Sequence, residues 1–219
     1  MDKRKAIQIM TKAARLYRDN LEDRKILFLY GATAEVKKQL RTRGEQLTAI
    51  QAYEVVFHTY NFMHLTGVKL NANTTASAIH FYQKCLDNRL TEDDFSFARD
   101  GSSAQKLDIL ENMMQIKTKA TMIGEFTDRG PKLFTEKVAG NVCGCIGFVQ
   151  DKNTKLNVPN TMLKKDIRDV TEQPTKKIYA VLSKGYTEEK YSVWEKIDRE
   201  VDVRECVLVE EIERGIKRD

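Results

Sequence analysis

The sequence predicts an α+β fold in which a helical N-terminal half packs on a small antiparallel β-sheet from the C-terminal half. Three observations point there. Apolar residues recur at helical spacing in three segments before Lys117. After it, short β-prone runs are separated by glycine, proline and turn signals. Helices and strands are therefore segregated along the chain, not alternated, which favours an antiparallel sheet over a parallel doubly wound one. The 219 residues suit one domain. It divides into a mainly helical part (1–117), a mainly antiparallel sheet (118–209) and a charged tail (210–219).

Taken in order, Ile7, Met10, Ala14, Tyr17 and Leu21 share one helical line, with Lys5, Lys12, Arg15 and Arg18 off it. This is an amphipathic helix with a basic outer face. Residues 26–30 are an apolar run stopped by Gly31, a buried strand, and 47–57 reads as a second strand. Asn73 or Thr74 caps the next helix. There Ala78, Ile79, Tyr82, Cys85 and Leu86 share a face, with His80 nearly opposite. Ser102-Ser103-Ala104-Gln105 resembles a capping box ahead of Leu107, Leu110 and Met114.

In the second half, 121–126 reads as a strand and the glycine-containing stretch 138–149 as a bent or bulged one. Leu156 and Val158 restart a strand that Pro159 ends. Asn160 then caps a short helix through Met162, Leu163 and Ile167, broken by Pro174. Residues 178–182 and 191–194 read as strands, and the alternation of Val201, Val203, Val207 and Val209 as a last one. The sheet is expected mainly from segments after Thr118.

Composition excludes several classes. Hydrophobic residues make up 41%, enough for a core. No window approaches about 20 consecutive apolar residues, and Met1-Asp2-Lys3-Arg4 does not open a signal peptide. The expectation is a cytoplasmic protein without membrane contact, its four cysteines reduced. Cys143-Gly144-Cys145 lacks zinc spacing, and both cysteines read as small packed residues. There is no Walker A sequence, no dinucleotide-binding glycine fingerprint and no His-Glu-x-x-His. No cofactor and no metal are expected. Net charge is +5, but the first 43 residues alone carry an excess of +7. A basic N-terminal segment suits either a phosphate backbone or a solvated helix face.

Only His58, His64 and His80 can act as both base and acid near neutral pH. His64 has the richest surroundings: Thr66 offers a hydroxyl, Gly67 a tight turn or close backbone approach, and Lys69 a fixed positive charge. Such a set deprotonates a ribose 2′-hydroxyl and neutralises charge developing on a phosphate. In the strand-rich half, Arg129, Lys137, Asn141, Ser183, Lys184 and Tyr191 are polar groups at strand ends or turns. Tyr179 and Tyr191 are candidates for stacking on bases.

Several stretches carry a family resemblance. They are Val56-Phe57 with Asn61-Phe62-Met63-His64-Leu65-Thr66-Gly67-Val68-Lys69, then Phe81-Tyr82-Gln83-Lys84, and Gly140-Asn141 with Ile146-Gly147-Phe148. Two more are Val158-Pro159-Asn160-Thr161-Met162-Leu163-Lys164-Lys165-Asp166-Ile167-Arg168 and Ile178-Tyr179-Ala180-Val181-Leu182-Ser183-Lys184. Together they resemble the fourth phage subgroup of barnase–EndoU–colicin–RelE-like nucleases, over roughly 15–191. The resemblance implies a helical N-terminal part before a small antiparallel sheet. It also implies a metal-independent ribonuclease, a toxin or host-takeover effector, with motif residues at His64, Thr66 and Gly67. No second histidine stands at a family position, so a lysine, arginine or tyrosine is expected in that role.

The expected activity is endoribonucleolytic cleavage by 2′-hydroxyl attack, in the host cytoplasm if the chain is phage-encoded. His64, Thr66, Lys69 and Lys184 are the expected catalytic residues. Gly67, Arg129, Asn141, Ser183 and Tyr191 are expected to bind substrate. His64 and Thr66 should line one wall of a cleft, with the strand-rich half supplying the other and Lys69, Lys184 or Arg129 in reach. The expected partner is RNA, tRNA or mRNA, with a host protein or cognate antitoxin as a further partner. Two other readings are a non-catalytic binder or inhibitor that uses the same cleft, and a nucleotide- or tRNA-modifying transferase.

Overall fold

Asp2 starts the first helix by accepting the Lys5 amide at 2.8 Å, which satisfies one of the free N–H groups of the first turn. That helix, α1 (Lys3–Asn20), buries Ala6, Met10, Ala13, Ala14 and Tyr17. Much of its basic outer face is tied down, with Arg4 on Glu92 at 3.2 Å and Lys12 on Glu111 at 2.5 Å. The computed structural model describes residues 1–41, 46–127 and 135–217. After α1 come β1 (Arg24–Gly31), α2 (Thr33–Gln39), β2 (Gln51–Phe57), α3 (Asn61–Thr66) and the short strand β3 (Lys69–Leu70). Next are α4 (Ala78–Leu86), β4 (Phe95–Ser96), α5 (Ser102–Met113) and α6 (Ile116–Lys119). The remaining elements are β5 (Met122–Glu125), β6 (Lys137–Asn141), β7 (Gly144–Gln150), β8 (Asn157–Leu163), β9 (Lys176–Gly185), β10 (Val193–Ile197) and α7 (Glu210–Gly215).

Among the described residues, eight strands form one antiparallel sheet, seven in the order β2-β1-β9-β5-β6-β7-β8 and β10 pairing with β9 off that path. The long strand β9 pairs along one edge with β1, while its other edge is divided between β5 and β10. Most strands lie after Thr118, but β1 and β2 come from the N-terminal half and complete the sheet. The sheet curls until its ends meet: Asn157 Nδ2 on β8 donates to the Glu54 carbonyl on β2 at 2.8 Å. Phe148 on β7 packs edge-on against Tyr53 and Phe57 on β2, with centroids 6.1 and 6.0 Å apart.

Strand alternation divides the β1–β9 pair into two faces. Ile26 and Phe28 of β1 lie opposite Ser183 and Val181 and face the core that α1, α3, α4 and α5 share. Lys25, Leu27 and Leu29 lie opposite Lys184, Leu182 and Ala180 on the outer face. There a second core gathers Leu27, Leu29, Tyr179, Leu182 and Tyr191 with Val203, Leu208, Ile212 and Ile216. The C-terminal segment is therefore packed against the sheet.

The structure departs from the sequence reading at several places. The stretch read as one bent strand is the hairpin β6–β7. Its glycines serve close pairing: a Cβ on Gly140 would lie 2.2 Å from the Gly144 carbonyl oxygen. β8 runs through Pro159, which its place at the sheet edge permits because no ladder N–H is needed there. Asn160 is the residue skipped in the register between Gly147↔Thr161 and Phe148↔Pro159, and does not cap a helix. The alternating valines after 200 form a 3-10 turn (Val203–Glu205) ahead of α7, with Val201 and Val203 buried and Val207 exposed. Cys145 is buried as expected, whereas Cys143 is exposed at the hairpin turn.

Candidate active site

Asn61 builds the start of the histidine segment. Its side chain accepts the His58 amide at 2.9 Å and donates to the Pro159 carbonyl at 3.4 Å, tying α3 to β8. Phe62 and Leu65 are fully buried in the helical core. That leaves His64, on another side of this short helix, exposed. The helix ends at Gly67 with φ 69° and ψ 10°, a left-handed conformation that glycine adopts without strain.

Thr66 is fully buried. Its hydroxyl donates to the Met63 carbonyl at 2.7 Å and accepts the Val68 amide at 3.3 Å. It fixes the turn that carries His64 and presents no free hydroxyl to a ligand. The Gly67 carbonyl accepts the Ser103 hydroxyl at 2.6 Å, and that hydroxyl accepts the Ala98 amide at 2.8 Å. The first turn of α5 is thereby pinned under the end of α3.

This docking brings in Lys106, which sequence reasoning missed. A Cβ on Gly67 would meet Lys106 Cδ at 2.7 Å, so the lysine stem passes directly over the glycine. Lys106 Nζ then donates to Thr161 Oγ1 on β8 at 3.2 Å. Among the described residues, Lys106 forms no ion pair. Burial lowers its pKa, opposed by the charge of Asp100. The His64 ring has enough protein around it to disfavour its charged form, and the Lys106 charge adds to this, so its pKa falls below 6.5. The corner thus holds a histidine inclined to be neutral, beside a cation that feels the Asp100 charge but forms no direct ion pair among the described residues.

Gly67→Ala and Gly101→Ala separate two effects. Both glycines have positive φ, but nothing lies within 4 Å of a Cβ on Gly101. Each substitution is expected to cost about 1–2 kcal/mol of backbone strain. Gly67→Ala should cost more because it also displaces Lys106, and urea unfolding of the two variants measures the difference.

The other expected site residues fall elsewhere. Lys69 is exposed on β3. Its charge reaches Asp100, whose carboxyl is held below the usual range first by the Ser102 hydroxyl and amide. Asn141 is used up in the β6–β7 turn, donating to the Lys119 carbonyl at 3.2 Å and accepting the Cys143 amide at 2.8 Å. Ser183 is fully buried and donates to Glu195 at 2.6 Å, where Lys117 also binds at 2.5 Å. Arg129 lies outside the described residues.

Lys184 and Tyr191 sit together on the outer face of the sheet, away from the helix-packed face that α3 covers. Lys184 Nζ lies 4.5 Å from the Tyr191 ring centroid and donates to the Glu189 carbonyl at 2.8 Å. The Tyr191 hydroxyl donates to Glu54 at 2.5 Å, and Lys25 approaches the same carboxylate at 3.5 Å. Lys184, Tyr191 and Glu54 line a cavity of about 580 Å³ with Ile50 and Ile212. One cleft holding both His64 and Lys184 is therefore not what the structure forms. Successive residues on β9 face opposite ways, so Ser183 points toward the helical side and Lys184 away from it.

Among the described residues, no group of three or more His, Cys, Asp or Glu side chains is placed to hold a metal ion, and no helix is long and apolar enough to cross a membrane. No curated protein and no solved structure matches the chain. A family model described as phage-Barnase-EndoU-ColicinE5/D-RelE like nuclease4 matches residues 9–200, a span that contains His64, Lys106 and Thr161 as well as Lys184 and Tyr191. With most of its length inside that match and a curled antiparallel sheet backed by helices, the chain belongs to this nuclease family.

Proposed function

We propose that this nuclease is a metal-independent endoribonuclease of phage or mobile-element origin, acting as a toxin or host-takeover effector on RNA in the cytoplasm. The observation that carries the reading is the pairing of His64, biased toward its neutral form, with the Lys106 ammonium, which is held by Thr161 and, among the described residues, by no carboxylate. Neutral imidazole accepts a proton, and a nearby cation stabilises an anion forming beside it.

In this reading His64 removes the proton of a ribose 2′-hydroxyl. The 2′-oxygen attacks the adjacent phosphorus, and the bond from phosphorus to the 5′-oxygen breaks. The products are a 2′,3′-cyclic phosphate and a 5′-hydroxyl. Lys106 neutralises the non-bridging oxygens, and its lowered pKa suits it to hand a proton to the leaving 5′-oxygen. Thr66 and Gly67 act through position, one fixing the α3 turn and the other admitting the Lys106 stem. Lys184 and Tyr191 have no step in this scheme.

The test is incubation of the purified protein with RNA in excess chelator. Cleavage leaving 2′,3′-cyclic phosphate ends is expected. Loss of cleavage in chelator with recovery on adding zinc or magnesium, or products with 5′-phosphate ends, would overturn the reading.

A further inference from the structure

At the start of α3, His58, Tyr60 and Tyr186 form an aromatic cluster at the surface. The His58 and Tyr60 rings stack with centroids 5.2 Å apart and planes 21° apart. Tyr186 meets His58 edge-on at 5.6 Å. Yet Tyr60 is 40% exposed and Tyr186 is 42% exposed. Among the described residues, no hydrogen bond holds either tyrosine hydroxyl.

The cluster is held by backbone. The Tyr186 amide donates to the Asp23 carbonyl at 3.0 Å. The His58 amide is held by Asn61 at 2.9 Å. Tyr60 itself has helical backbone angles, φ −71° and ψ −17°. These aromatic side chains stand on a hydrogen-bonded backbone without being buried, and exposed aromatic surface is what stacking partners use.

The charges around it are of both signs, and Lys25, its nearest cation, also meets Glu54 at 3.5 Å. Lys25 Nζ lies 5.5 Å from the Tyr186 ring centroid. The carboxylate whose charge reaches both His58 and Tyr60 is Asp151. It is occupied by the Asn153 and Thr154 amides at 3.0 and 2.8 Å and by the Thr154 hydroxyl at 2.9 Å. Glu22 is likewise occupied, accepting from Thr59 and Tyr82 at 3.1 and 3.0 Å.

Position supplies the last link. Tyr60 is the helical N-cap of α3 and His64 lies four residues on, so their side chains lie on one face, about 6 Å apart along the axis. We infer that Tyr60, His58 and Tyr186 form a stacking platform for an unpaired nucleobase, which holds single-stranded RNA with a neighbouring phosphate at His64. This rests on the ribonuclease reading for its choice of RNA. Bases in a duplex have no free face to offer, so the platform selects single-stranded substrate.

The test measures binding of a short single-stranded oligoribonucleotide, carrying one fluorescent 2-aminopurine, to protein with His64→Ala so that cutting is slow on the time of the measurement. Adding Tyr60→Ala or Tyr186→Ala is expected to weaken binding roughly 5- to 100-fold, the usual worth of one stacked base. Tyr→Phe at either position should bind as the parent does, because the ring and not the hydroxyl carries the contact. The same RNA annealed to its complement should bind without dependence on either ring. Equal affinity of the Ala and Phe variants for the single strand overturns the platform, whatever the cleavage activity. Ring-dependent binding by a wild-type chain that cuts no RNA keeps the platform and overturns only the ribonuclease reading. Melting temperatures of the Phe and Ala variants separate a lost stack from a lost fold.

Discussion

Replacing His64 with alanine is expected to lower the single-turnover rate of RNA cleavage by about 10²- to 10⁴-fold, the usual share of a general acid–base group. Affinity for uncleaved RNA should change little, because phosphate contacts supply most of it. The fold should survive, since the ring is exposed and the buried side chains of α3 are Asn61, Phe62, Leu65 and Thr66. A fluorescence melt alongside the rate measurement checks that expectation. A variant that cuts RNA at the wild-type rate would remove His64 from the chemistry.

Lys106 should matter nearly as much. Lys106→Met keeps most of the stem that crosses Gly67 and removes the charge. It is expected to lower the rate by about 10²- to 10³-fold, as does loss of one stabilising donor at a developing oxyanion. It has a second signature. The Lys106 charge is one of the two causes holding the His64 pKa down. Without it, the pH at which the rate reaches its plateau should rise toward 6.5, the ordinary histidine value. A rate loss with no movement of that midpoint would mean that Lys106 acts on folding or binding alone.

Much of the fold was legible because local pattern and tertiary burial agree. The apolar line of α1 and the run of β1 are buried as their periodicity requires. The reading failed where a contact distant in sequence decides the outcome. The β6–β7 hairpin turns at Val142 and Cys143, which carry no glycine or proline. The Asn141 side chain supplies a turn hydrogen bond. Pro159 looked like a strand terminator because nothing local says that β8 is an edge. The valines after 200 alternate as in a strand, but Val201 and Val203 are buried on the outer face of the sheet without joining a ladder.

The candidate site was half legible. His64 and its glycine stand in one short motif, and the need for a close approach at Gly67 follows from the residue type. The side chain that approaches is set by how α5 docks through Ser103, which no local pattern encodes. Lys184 was misplaced for a simple geometric reason. Its neighbour Ser183 faces the helical side, so Lys184 faces away. Thr66 has the right chemistry for a phosphate, but its hydroxyl is spent on its own helix end.

The central claim is that His64 works as a neutral base, and the pH dependence of single-turnover cleavage tests it most directly. A lowered pKa means that the base form dominates at neutral pH. The rate should therefore rise with pH through a midpoint below 6.5 and level off by neutrality. In His64→Ala that acid limb should vanish from whatever rate remains. The same limb, at the same midpoint, in both proteins would show that another group takes the proton and would contradict the account.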